Sequence, residues 1–160
     1  MTDNFEFRSI HPDEVEQAIA IEQICFPPNE ACSPKAMTER IAKVPQLFLV
    51  AVDKSTGKLA GFLNGVATDE EKFRDEFFTD IDLCDENGKN VMLLGLDVLP
   101  EYRGCGIGRA LETYAVNISL EQGYTPFGQV VEDNLVSVKL QESLGLYFAK
   151  DKVYWVESKS

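Results

Sequence analysis

Residues 92–115, MLLGLDVLPEYRGCGIGRALETYA, constrain the fold more than any other stretch of the chain. The apolar run from Met92 to Val98 reads as a buried strand, and Pro100 ends it. Arg103-Gly104-Cys105-Gly106-Ile107-Gly108-Arg109 follows. Behind it Ile107, Ala110, Leu111, Tyr114, Ala115 and Ile118 recur at helical spacing, and Gly123 closes the helix. The unit is therefore strand, glycine loop, helix. Glycines let a ligand approach the main chain closely. The unpaired N–H groups of a helix N-terminus, with the helix dipole behind them, suit a phosphate. Arg103 and Arg109 bracket the loop, so the segment predicts an anion site, with a diphosphate as the fitting ligand.

The spacing narrows the ligand. No Gly-Lys-Ser/Thr ends the loop, as a triphosphate-and-magnesium site requires. Gly104, Gly106 and Gly108 form G-x-G-x-G instead of the dinucleotide G-x-G-x-x-G, and the loop lies two-thirds along the chain instead of after the first strand. A nicotinamide oxidoreductase is disfavoured on both counts. Leu96-Asp97-Val98-Leu99-Pro100-Glu101-Tyr102-Arg103-Gly104-Cys105-Gly106-Ile107-Gly108 closely resembles the acetyl-CoA motif of the GNAT superfamily of N-acetyltransferases. The resemblance implies that this unit holds the pantetheine and diphosphate of acetyl-CoA. The N–H groups of Leu96 and Val98 would bond the pantetheine and the acetyl oxygen, and residues 96–98 and 103–109 would contact the cofactor.

Composition fits one domain spanning 1–160. A chain of 160 residues buries a core without disulfides, and 44% hydrophobic with 26% charged residues is ordinary for a globule. No apolar run reaches membrane-spanning length, and the N-terminus lacks the pattern of a secretory signal. Cys25, Cys32, Cys84 and Cys105 have no metal-ligand spacing and His11 is the only histidine, so no metal is expected. Free thiols point to a reducing cytoplasm. The net charge of −12, from 27 acidic and 15 basic residues, argues against nucleic acid and anionic membranes as partners. Such a field attracts cations, including amines, although it also serves solubility.

The remaining elements follow from pattern. Phe5–Ile10 reads as a first strand. Pro12 and Asp13 open a helix with apolar Val15, Ala18, Ile19, Cys25 and Phe26; Pro27 and Pro28 make a loop. Ser33 caps a second helix with Pro34 at its first position and Met37, Ile41 and Val44 on one face. Residues 47–52 and 59–66 are strands joined by a turn at 53–57. Residues 68–90 read as an exposed acidic insertion carrying a short helix over 71–78. After the strand at 92–98 and its helix, a fifth strand is expected at 128–132, a helix over 134–144, and short strands within 147–156. This is the GNAT order. It implies an α/β (α+β) domain with a mixed, mostly antiparallel sheet flanked by helices, its fourth and fifth strands splayed apart.

Within the superfamily the chain is most similar to the serotonin (arylalkylamine) N-acetyltransferase group. Phe7-Arg8-Ser9-Ile10, Ile21-Glu22-Gln23-Ile24-Cys25-Phe26, Pro34 and Thr68-Asp69-Glu70-Glu71 carry the likeness. It implies that the loop between the first two helices covers an amine, with Phe26, Pro27 and Pro34 lining the substrate pocket together with Met92 and Leu94. Two departures stand out. Met92 and Leu94 occupy the positions of the group's proton-passing histidines, and neither moves a proton. The family pattern Asn-x-x-Ala/Ser-x-x-x-Tyr-x-x-x-Gly reads here Asn134, Ser137, Gln141, Gly145, so a glutamine stands where the thiolate acid is expected. An amide donates a hydrogen bond but surrenders no proton. Tyr114, Tyr147 and Tyr154 are the available phenols. Asn134, Ser137 and Gln141 remain expected cofactor contacts, with Gln141 as helper to the leaving sulfur.

Among carboxylates, Glu22 falls within the apolar stripe of the first helix, where burial raises a carboxyl's pKa toward the range of a base. It is either an amine-binding or proton-accepting group, or an edge residue reaching solvent or an arginine. Glu132 and Asp133 come next. Strand alternation puts Met92, Leu94, Leu96 and Val98 on one face and Asp97 on the other, which argues against Asp97 as the base. His11 and Cys105 read as structural.

The expected activity is direct transfer of the acetyl group of acetyl-CoA to a primary amine, small and cationic or aromatic. A protein N-terminus or lysine is the alternative acceptor. A non-catalytic acyl-CoA sensor is the alternative of another class. A homodimer is left open.

Overall fold

The structure is a computed structural model that describes residues 2–70, 76, 80–85, 87–129, 146–148 and 153–156. Seven strands form one sheet: β1 (Phe5–Ser9), β2 (Phe48–Asp53), β3 (Leu59–Thr68), β4 (Asn90–Val98), β5 (Thr125–Gln129), β6 (Leu146–Phe148) and β7 (Val153–Val156), in the order β1-β2-β3-β4-β5-β7-β6. Every pairing is antiparallel except β4 with β5, which is parallel. A parallel neighbour requires a crossover, and α3 (Ile107–Glu121) supplies it. Helices α1 (Val15–Cys25) and α2 (Pro34–Lys43) cover the opposite face.

Both faces of the sheet are therefore buried, which is why β3 has no exposed residue along its ten positions. On the α1/α2 side, Ala18, Ile21, Met37 and Ile41 pack on Phe48, Val50 and Phe62, whose rings stack at 4.7 Å. On the α3 side, Ile107, Leu111 and Ala115 pack on Leu49, Ala51 and Leu63. Ser33 caps α2 as its sequence predicts, its hydroxyl accepting the Ala36 N–H at 3.1 Å with Pro34 in the first turn.

Three expectations need correction. The fifth strand begins at Thr125 and not at Gly128, and its described part is Thr125–Gln129, because α3 turns at Gly123 directly into the strand and Thr125 N–H bonds Lys89 C=O at 2.8 Å. The segment after β3 is not wholly exposed: Cys84 is buried in the core, and Gly88 packs so tightly on the Thr68 main chain that no side chain fits. The stripe of α1 is also shifted, with Ile21 and Glu22 more buried than Val15 or Ile19. Residues 71–75, the expected helix over 134–144, and Glu132, Asp133, Asn134, Ser137 and Gln141 lie outside the described residues.

Candidate active site

The site begins with an irregularity in β4. Its register with β3 runs Val66↔Met92 and Gly65↔Leu93, then Asn64↔Gly95, so Leu94 is an extra residue. Such a bulge bends a strand and inverts the alternation of its side chains. Met92 below the bulge and Asp97 above it consequently share the α1/α2 face, paired with Val66 and Phe62. Leu93, Leu96 and Val98 face α3. The uninterrupted alternation that separates Asp97 from Met92 is thus wrong for this strand. Met92, an expected pocket residue, is fully buried among Val44, Leu47 and Val66, while Leu94 is half-buried at the bulge.

At the bulge the described pairing of β4 with β5 ends. β4 pairs with β5 only from Asn90↔Thr125 to Leu93↔Gly128, yet it continues to Val98. Above Leu93 its far edge has no strand partner among the described residues. Leu99 N–H bonds Ala60 C=O on β3 at 3.0 Å, and the Asp97 carbonyl lies against Gly61 of the same strand. Alternation then turns the N–H groups of Leu96 and Val98 to the open edge. The Val98 carbonyl is engaged by Cys25 Sγ at 3.4 Å and Arg103 Nε at 3.3 Å. Asp97, grouped by sequence with the cofactor contacts, sends its carbonyl to β3 and its carboxyl toward α1.

The glycine loop sits just beyond this edge. Gly104 and Gly106 adopt φ of 83° and 81°, a left-handed conformation costly for any residue with a Cβ. These two turns reverse the chain so that α3 starts directly behind the end of β4, where a side chain at Gly108 would meet Leu96 at 3.5 Å. The first N–H groups of α3 have no intrahelical acceptor, and Arg103, Gly104, Gly106 and Arg109 are exposed around them. An extended ligand carrying a diphosphate fits this path: main-chain donors on an open strand edge, then a helix N-terminus flanked by two guanidinium groups.

On the α1/α2 side, Gln23, Phe26, Pro28, Cys32 and Pro34 line a cavity of about 470 Å³. Of the residues the sequence groups around a substrate, Phe26 and Pro34 line this cavity and Pro27 does not; Pro28 does. Pro27 shapes the loop, its carbonyl accepting the N–H groups of Glu30 and Ala31, both at 2.9 Å.

Between cavity and strand lies a buried polar cluster. Glu22 is 7% exposed and accepts the Cys32 N–H at 2.8 Å. Its neighbour Asp97 is 2% exposed, and neither Asp97 oxygen has a hydrogen-bond partner of good geometry among the described residues. The Asn64 side-chain oxygen is likewise unpartnered and converges with Asp97 Oδ1 over Gly95. Burial, reinforced by the adjacent Glu22 carboxyl, pushes Asp97 up to about 9. Burial and the neighbouring carboxyl both disfavour a charge on Asp97, which therefore keeps its proton at neutral pH. Arg40 of α2, 3% exposed, lies close to Glu22 and Cys32 and carries the nearest buried positive charge. Desolvation raises the thiols of Cys25 and Cys32 above their ordinary value, which leaves them protonated and unreactive. The side-chain stripe of α1 pointed to Glu22. Asp97 was missed because only the bulge reveals its face, and Arg40 because it falls between the apolar positions of α2.

A strand whose described pairing with its parallel neighbour stops short, beside an exposed helix start, leaves room for an extended anionic ligand. The profile of the acetyltransferase (GNAT) family matches residues 15–146, and the chain belongs to that family. Among solved structures it is similar to the loading GNATL domain of CurA from Lyngbya majuscula (15% identity, 96% of this chain and 97% of that one, TM-score 0.78). It is also similar to the ribosomal-protein-S18-alanine N-acetyltransferase of Escherichia coli (18%, 95% and 92%, TM-score 0.67). A third is the GphF GNAT-like decarboxylase in complex with isobutyryl-CoA (20%, 89% and 73%, TM-score 0.69). At these identities the likenesses establish the fold. No curated protein sequence matches. No helix among the described residues is long and apolar enough to cross a membrane.

Proposed function

We propose that this enzyme transfers the acetyl group of acetyl-CoA directly to a primary amine, with both substrates bound at once. The observation that carries the reading is the pairing of an open β4 edge with an acceptor cavity on the other side of the same strand end. The Leu96 and Val98 N–H groups hold the pantetheine and the acyl oxygen, where developing negative charge gains most from fixed donors. Arg103, Gly104, Cys105, Gly106, Ile107, Gly108 and Arg109 receive the diphosphate. Asn134, Ser137 and Gln141 complete the cofactor contacts, and Gln141 donates to the departing sulfur. Bound acetyl-CoA supplies the activated acyl group; the chain supplies orientation and a place for the amine's proton.

The acceptor enters through the cavity lined by Phe26 and Pro34. An apolar wall of this kind suits an aromatic or alkyl body, and the buried carboxyl cluster behind it suits a cationic head, so a small amine fits better than a folded protein surface. Glu22 lies closest to the cavity through its bond to Cys32 and is the proposed amine-facing carboxylate. The arylalkylamine group remains the subgroup that the acceptor loop favours. Release of free CoA thiol from acetyl-CoA tests the reading. It should depend on added tyramine or putrescine. A protein that binds acetyl-CoA and releases none with any primary amine contradicts it.

A further inference from the structure

Glu22, Asp97 and Asn64 bring side-chain oxygens together, and of these, among the described residues, only Glu22 receives a donor, the Cys32 N–H at 2.8 Å. Among the described residues neither oxygen of Asp97, 2% exposed, nor the side-chain oxygen of Asn64, 7% exposed, has a hydrogen-bond partner, and Asn64 Oδ1 and Asp97 Oδ1 both lie within 4 Å of the space a Gly95 side chain would occupy. Unsatisfied buried acceptors are costly, and one proton on a carboxyl turns an acceptor into a donor and relieves the cost. The place of the cluster matters as much as its composition. Asp97 lies in sequence between Leu96 and Val98, whose N–H groups reach the open edge, and its own side chain leaves β4 on the α1/α2 face. Glu22 is tied to Cys32 in the cavity wall. The pair thus lies between the upper end of β4 and the wall of the cavity.

We propose that Glu22 and Asp97 hold a single proton between them and together accept the proton that a primary amine gives up as it attacks the acyl carbon. The inference rests on the functional reading above and assigns it a proton path, in a chain where Met92 and Leu94 move no proton. The step balances with the neutral amine as nucleophile. The nitrogen lone pair forms the C–N bond, an N–H bond breaks, and its proton joins the ionised carboxylate of the pair. The C–S bond breaks with its electron pair on sulfur. The doubly protonated pair then returns one proton to solvent, from which the thiolate is neutralised. The titratable and charged groups around the pair are Cys25 of α1, Cys32 of the following loop, Arg40 of α2 and Arg103 of the glycine loop; Asn64 of β3 adds a neutral amide. The two thiols stay neutral and Arg40 stays charged, so the pair itself is the group that exchanges a proton.

The test uses the amide variants Asp97→Asn and Glu22→Gln with acetyl-CoA and tyramine across pH, alongside carbon-13 carboxyl NMR of the wild-type protein with labelled aspartate. General-base contributions are typically about 100-fold or more. Each variant should lose about that factor in kcat and lose the pH limb set by the pair, while acetyl-CoA affinity stays within about twofold. In the wild type one aspartate carboxyl should remain protonated at pH 7 and titrate well above it, a readout that needs no variant to fold. The proposal is overturned if every aspartate is ionised at pH 7, or if both variants keep wild-type kcat and pH profile. A wild-type protein whose buried aspartate carries its proton but which acetylates no amine overturns the functional reading instead, and the catalytic role of the pair with it.

Discussion

Asp97 stands directly across from Phe62 in the β3–β4 ladder, so its carboxyl is fixed on the α1/α2 face beside a fully buried ring. That placement makes stability depend on pH. The unfolded chain ionises Asp97 near 3.8 and the folded protein near 9. Between those values the folded state keeps a proton that the unfolded state has lost, so rising pH favours unfolding. The contribution is present in full below about pH 4 and is lost as pH rises to about 9. Thermal melting between pH 5 and 9 should fall more steeply for the wild type than for Asp97→Asn, and the variant should be the more stable of the two at pH 9. Parallel melting curves would contradict the burial of an unpaired carboxyl.

Glu112 of α3 offers a second buried carboxyl. Its Oε2 is buried without a hydrogen bond, and burial alone pushes the group up to about 7 from 4.5. The sign is the same: stability declines as pH rises through that window. Glu112→Gln should raise stability at pH 8 by about 2 kcal/mol, measured by urea unfolding, and by little at pH 4.

Glu14 behaves oppositely. Arg8 grips it through two nitrogens, each at 2.8 Å, and the His11 N–H adds a third bond at 2.8 Å. The guanidinium holds the Glu14 carboxyl below its ordinary range. This contribution is present above the unfolded value near 4.5 and is lost as pH falls through the lower folded value. Glu14→Gln leaves Arg8 with only the exposed Glu6 carboxylate, at 3.0 Å, as charge partner and should cost about 1–2 kcal/mol at pH 7, shrinking in acid. A variant as stable as the wild type at pH 7 would show the pair to be incidental.

Gly106 precedes α3 at φ 81°, at the point proposed for the diphosphate. Gly106→Glu adds about 1–2 kcal/mol of backbone strain and sets a negative charge among the phosphate-facing donors. Acetyl-CoA affinity measured by calorimetry should fall at least 100-fold while circular dichroism remains that of a folded protein. Unchanged affinity would remove the loop from the site.

The legible parts of this chain are those fixed by local chemistry. Ser33-Pro34 announces α2, Gly123 ends α3, and the glycine loop after Val98 declares its helix, because each signal lies within a turn of its effect. What sequence reading missed depends on pairing between distant segments. A bulge is a property of two strands, so nothing local to Leu94 reports that Asp97 changes face. The Arg8–Glu14 pair and the buried Arg40 escape for the same reason: alternation and helical period mark apolar positions, whereas a buried charge is defined by its tertiary neighbours.

A crystal structure with bound acetyl-CoA tests the central claim most directly. The diphosphate should lie within hydrogen-bonding reach of the main-chain N–H groups between Gly104 and Arg109, with the thioester carbonyl at the Leu96–Val98 edge above the β4 bulge. A coenzyme seated elsewhere, such as the cavity lined by Phe26 and Pro34, with that edge and loop left unoccupied, would contradict the account.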